Sequence, residues 1–139
     1  MDSRDLIERR DFLKDEIFKD FLEAFEHYAE MTESFEDILF EEEEIQEWRE
    51  DWEHELSEIE DINQLEDEVV SDDNFDDGVT FIEEDEFEDY CKEFTKDVGF
   101  IPDHTPALIE NNIDWEGIAD DMRQDYAEVE FEGRTYLYR

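Results

Sequence analysis

The chain has little of what cross-links, interrupts or neutralises a polypeptide. A single cysteine, Cys91, excludes an internal disulfide framework and points to a reducing interior, the cytoplasm of a host cell. Two prolines and four glycines leave little linker material. No apolar run approaches the roughly 18 residues that a membrane span needs. The opening Met1-Asp2-Ser3-Arg4-Asp5 lacks the basic-then-apolar pattern of a secretory signal. Cations are the scarcest feature: 11 Lys and Arg stand against 50 Asp and Glu, a net charge of −39 in 139 residues. Nucleic acid is thereby excluded as a direct partner, because phosphates demand a basic face. Anionic lipid is disfavoured for the same reason.

What is present argues against the disorder that such a charge alone would favour. Hydrophobic residues make up 38% of the chain and include 12 Phe, 5 Tyr and 3 Trp. A chain of this length can bury roughly 68–70% of its unfolded surface, so a folded protein with a very acidic exterior is expected. The charge is uneven along the sequence. Residues 20–91 hold 32 acids and one base, Arg49, whereas residues 92–139 hold 12 acids and 5 bases. The C-terminal part therefore reads as the more ordinary one.

Periodicity outlines an α+β, helix-rich fold: an acidic helical region over 1–70 and an α+β region over 71–139. From Asp5 to Tyr28, Leu6, Leu13, Ile17, Phe21, Phe25 and Tyr28 recur on one face of an amphipathic helix. A second run, Ile45, Trp48, Trp52, Leu56, Ile59, Ile62 and Leu65, at steps of three and four, predicts one long helix antiparallel to the first. Phe35, Ile38, Leu39 and Phe40 fall in the connection, and the aromatic stripe with Trp48 and Trp52 is expected in the core. Ser71–Gly78 reads as a loop and Val79–Ile82 as a short strand.

Further on, Asp85–Val98 predicts a helix that Gly99 ends, and Pro102 and Pro106 bracket a loop leading into Ala107–Asn111. Asp114 is a good N-cap for a helix containing Trp115, Ile118, Ala119 and Met122. Val129–Tyr138 predicts a β-hairpin turning near Gly133, the C-terminal part of a small antiparallel sheet.

Asp85-Glu86-Phe87-Glu88-Asp89-Tyr90, the stretch Asn112-Ile113-Asp114-Trp115-Glu116-Gly117-Ile118-Ala119-Asp120-Asp121-Met122, and Asp125-Tyr126 before the hairpin form a recognisable set. Through them, residues from about Glu84 to Arg139 resemble the C-terminal part of ArdA-type antirestriction proteins, the DNA mimics of phages and mobile elements. The resemblance implies an acidic, elongated and often dimeric protein that evades host defence by occupying the DNA site of type I restriction–modification enzymes.

Charge arithmetic leads separately to mimicry. B-DNA carries about one negative charge per 1.7 Å of axis, so 39 charges correspond to roughly 20 base pairs. Acids on an exposed helix face repeat every 5.4 Å, close to the phosphate spacing along one strand. The expected phosphate-mimicking acids are Glu41, Glu42, Glu43, Glu44, Glu47, Glu50, Asp51, Glu53, Glu55 and Glu58 of the second helix, with Asp72, Asp73, Asp76 and Asp77 of the loop. Like charges at i, i+4 cost a few tenths of a kcal/mol each, so such crowding sacrifices stability. Crowding is also expected to raise carboxylate pKa values and so to favour the fold as pH falls from about 7 toward about 5.

No metal, cofactor or catalytic site is expected. With Gly78 as the sixth position of an EF-hand loop, Asp73, Asp77 and Glu84 fall first, fifth and twelfth, but Phe75 takes the third, where an oxygen ligand is required. His27, His54 and His104 are scattered, without zinc-ligand spacing. The partner is expected to be a restriction–modification enzyme or another basic DNA-binding protein. An acidic chaperone of a nucleoid-type protein and an inhibitor of a CRISPR effector are the alternatives.

Overall fold

Ser3–Ala24 forms the long helix α1, whose apolar residues at i, i+4 spacing place Leu13, Ile17 and Phe21 in the core. A computed structural model describes residues 1–69 and 75–139. The helix stops at Phe25 (φ −130°, ψ 64°), and Glu26–Met31 continues as a 3₁₀ segment. The apolar spacing runs on through Tyr28 as expected, but the backbone does not remain α-helical. Leaving the α register lets Phe25 and Tyr28 crowd Phe21, at ring-centroid distances of 5.4 and 6.1 Å. A short 3₁₀ turn, Phe35–Asp37, follows, with the Ser34 N–H donating to the Asp37 carboxylate at 3.2 Å.

The expected second long helix is instead broken. Glu43–Ile45 is a 3₁₀ turn, α2 covers Gln46–Asp51, and α3 covers Glu53–Glu68. Trp52 sits between them at φ −105°, ψ 9°, its N–H donating to Arg49 O at 3.0 Å in a tighter turn. The break falls where side chains rather than helix propensity hold the backbone. The indole N–H groups of Trp48 and Trp52 both donate to Asp20 Oδ2, at 2.7 and 3.0 Å. Arg9 meets Glu58, Arg10 meets Glu66, and Asp20 meets Trp48 and Trp52, so α1 runs antiparallel to α2 and α3. Ile17, Phe21, Ile38, Ile45 and Ile59 form the buried centre. Full burial of each such side chain contributes roughly 1.5–3 kcal/mol.

The chain forms two compact units, Arg4–Glu68 and Met1–Ser3 with Val69–Arg139. In the second, β1 (Ile82–Glu83), β2 (Ala127–Phe131) and β3 (Arg134–Tyr138) make an antiparallel sheet of order β1-β3-β2. The strand expected over Val79–Ile82 is thus displaced: Thr80 makes only an isolated bridge to Asp2, and pairing with β3 begins at Ile82. Ser3 is fully buried there. Its hydroxyl donates to Phe75 O and accepts from the Val79 N–H, both at 2.6 Å. Phe131 pairs with Arg134 across the hairpin, leaving Glu132-Gly133 as a two-residue turn with both φ positive, 51° and 80°. That is the geometry that matches strand twist.

Helix α4 (Phe87–Asp97), preceded by the 3₁₀ turn Glu84–Glu86, ends at Gly99 with φ +82°, the left-handed stop its position predicted. The short α5 (Ala107–Glu110) leads to α6 (Trp115–Arg123), where Asp114 Oδ1 accepts from the Gly117 N–H at 3.0 Å as an N-cap. Phe87 and Cys91 of α4 and Ala119 of α6 pack against Ile82 and Leu137 of the sheet. Tyr136 and Tyr138, on the other side of β3, meet Phe81.

Candidate acidic interface

The expected phosphate-mimicking acids do not form one helical row. Glu41 and Glu42 precede the helix, Glu43 and Glu44 lie in the 3₁₀ turn, and Glu47, Glu50 and Asp51 lie on α2; all are exposed. Glu53 begins α3 and is also exposed, whereas Glu55 and Glu58 are half-buried. Glu58 turns toward α1, where Arg9 Nε donates to it at 3.0 Å. It therefore serves the helix pairing rather than the surface. Asp76 and Asp77 are exposed in the 3₁₀ turn Phe75–Asp77 of the other unit. Asp72 and Asp73 lie outside the described residues.

Glu50 and Glu53, with Glu60, line a shallow groove of about 540 Å³, beside Gln46, Arg49, Leu56 and Ser57. Leu56 also belongs to the seam with Trp48, Trp52 and Ile59 that packs on the core, so the groove runs along the flank of that seam, with Glu50, Glu53, Ser57 and Glu60 on its exposed side. Glu60 was not among the sequence candidates, although its spacing from Glu53 and Ser57 places it on the same face.

Cations are spent locally. Arg9, Arg10, Lys14, Lys19 and Arg49 pair with Glu58, Glu66, Glu36, Asp15 and Glu41. Lys96 pairs with Glu110, Arg123 with Glu84 and Glu128, and Arg134 with Glu83. Lys92 stands over the Trp115 ring. Among the described residues, no ion pair involves Glu42, Glu43, Glu47, Glu50, Asp51 or Glu53. Glu44 is held instead by the Tyr28 hydroxyl, which donates at 2.9 Å, and His27 Nε2 lies 3.0 Å away.

The charge asymmetry seen along the sequence does not survive division into units. Arg4–Glu68 carries 27 acids and 6 bases, a net of −21. The other unit carries 23 acids and 5 bases, a net of −18. Residues 72–89, whose acids made the first part look like the only anion, belong to the second unit. Both units are strong anions.

Titration follows from these contacts. The hydrogen bond to Glu44 raises the Tyr28 phenol above its ordinary value. Glu36 and Glu110 are held below the usual carboxylate range, chiefly by hydrogen bonds from Lys14 and Lys96. That direction is opposite to the one crowding alone would give. Burial pushes the Cys91 thiol up and, with the Tyr90 hydroxyl nearby, the Tyr126 phenol to about 12.

Two positions of the EF-hand register are otherwise employed, and Asp73 lies outside the described residues. Phe75 is buried, and Glu84 accepts from Arg123 at 3.3 Å. Among the described residues, no group of three His, Cys, Asp or Glu is arranged to hold a metal ion. In the same residues, no helix is long and apolar enough to cross a membrane. No family model, no curated protein and no solved structure matches the chain.

Proposed function

We propose that the protein is a DNA-mimic inhibitor that occupies the DNA-binding site of a host defence enzyme, foremost a type I restriction–modification complex. The observation that carries this reading is the stretch from Glu42 to Glu53. Its exposed acids Glu42, Glu43, Glu47, Glu50, Asp51 and Glu53 have no described ion pair, while the lysines and arginines with described ion pairs are matched to acids elsewhere. A surface of that kind holds condensed counterions and releases them on meeting a site built for phosphates, which supplies the driving force DNA itself uses. The choice of a type I enzyme rests on the resemblance of residues 84–139 to ArdA-type proteins. Catalysis has no part in the reading.

Two measurements test it. Affinity for the target enzyme should fall steeply as salt rises, with duplex DNA and the protein displacing each other at equilibrium. A complex indifferent to salt, or one that holds DNA and the protein together, would refute mimicry. Reversal of one acid, such as Glu43→Lys, should weaken inhibition only modestly. Joint reversal of Glu43, Glu47, Glu50 and Glu53 should abolish it.

A further inference from the structure

Met31 and Leu39 are 70% and 59% exposed, and both line one cavity of the Arg4–Glu68 unit. Buried Phe21 and Ile45 line it from the core side, together with half-buried Tyr28. Its volume of about 190 Å³ is of the order of the roughly 150 Å³ apolar cavity that accepts benzene. One aromatic ring or branched aliphatic side chain fits. Thr32, also in the lining, donates its hydroxyl to Tyr28 O at 2.9 Å and so requires nothing from an occupant. The charged residues of the lining, Asp37 and Glu42, are both acidic and exposed.

We propose that this cavity anchors a basic protein partner by taking one Phe, Leu or Ile side chain whose neighbouring Lys or Arg meets Asp37 and Glu42. The inference rests on the proposed function for the partner's basic character, and charge complementarity selects the occupant. A second copy would bring its own net charge of −39 to an acidic mouth. A carboxylate lattice gives fast, salt-sensitive encounter with many basic surfaces, whereas a desolvated apolar anchor adds slow dissociation and choice among them. A few side chains seated in well-packed, desolvated pockets carry most of the binding energy of an interface.

The test uses two peptides of equal charge, acetyl-Lys-Lys-Phe-Lys-Lys-amide and its counterpart with Ser at the centre, titrated into the full chain with its methionine methyls labelled for NMR. Burying the ring, less the cost of ordering it, should make the Phe peptide bind about tenfold tighter. The Met31 methyl should move, and those of Met1 and Met122 should not. Leu39→Ser, at an exposed position, should erase the preference while leaving the melting temperature unchanged. Equal affinity of the two peptides, a preference that survives Leu39→Ser, or a Met31 methyl that shifts with protein concentration alone would overturn the proposal. Equal peptide affinities with intact mutual displacement by duplex would remove the anchor and keep the mimic. A Phe preference without such displacement would do the reverse.

Discussion

Replacing Asp20 by Ala removes the carboxylate that the indole N–H groups of both Trp48 and Trp52 share, at 2.7 and 3.0 Å. A hydrogen bond to a charged acceptor is worth about 1.5–3 kcal/mol, so the pair is worth about 3–6 kcal/mol before correction. Two effects lower that figure. The indoles are half-buried, so water replaces part of what is lost. Removing one anion from a unit of net charge −21 also relieves repulsion. A loss of about 2–4 kcal/mol is expected, a large share of the roughly 5–15 kcal/mol that holds a domain folded. With a urea dependence of about 1–3 kcal/mol per molar, the unfolding midpoint should drop by roughly 1–2 M. Asp20→Asn keeps an acceptor oxygen without the charge and should lose about half as much. Far-UV circular dichroism makes the readout independent of the indoles. Glu23→Ala on the same helix, exposed and without an ion pair, is the control and should match or exceed the parent. An Asp20→Ala midpoint equal to that of the parent would mean that the shared carboxylate does not hold α1 to the two indoles.

Ser3→Ala leaves Phe75 O and the Val79 N–H unsatisfied in a buried site and should cost about 2–4 kcal/mol; a Val79 amide that exchanges no faster than in the parent would contradict this. Glu36 and Glu110 have folded pKa values below their unfolded ones, so their contribution is present above about pH 4.5 and disappears as pH falls through the folded values. Melting temperature should therefore decline below pH 4.5, and the decline should be shallower in Glu36→Gln; the same slope in both proteins would argue against the Lys14 pairing. Added salt should raise the melting temperature by screening like charges while it weakens partner binding, a divergence that thermal melts and titrations at matched salt can check. At Gly133 an added Cβ meets nothing within 4 Å, but φ is +80°, so Gly133→Val should cost about 1–2 kcal/mol through the backbone alone, measurable as a lowered urea midpoint.

Features that close within a few residues are legible in the sequence. Asp114 caps α6 through Gly117, three residues on. Gly99 stops α4 with its own dihedral, and Glu132-Gly133 sets the hairpin register. The i, i+4 apolar spacing of Leu13, Ile17 and Phe21 also fixed the buried face of α1 in advance. Such features depend on local sterics and on periods of 3.6 and 2, which a linear reading contains. Features that depend on distant partners appear only once the chain is folded. Asp20, one acid among fifty, accepts from indoles 28 and 32 residues away, and the helix breaks at the second of them. Ser3 belongs with Phe75 and Val79, more than 70 residues on. Glu58 faces Arg9 instead of solvent, and the acids of 72–89 add to the C-terminal unit, making both units anions of similar strength. A carboxylate carries the same charge and propensity whether it supports a fold or faces a partner. Its role is set by which donors the folded chain brings within hydrogen-bonding distance, and no local pattern records that distance.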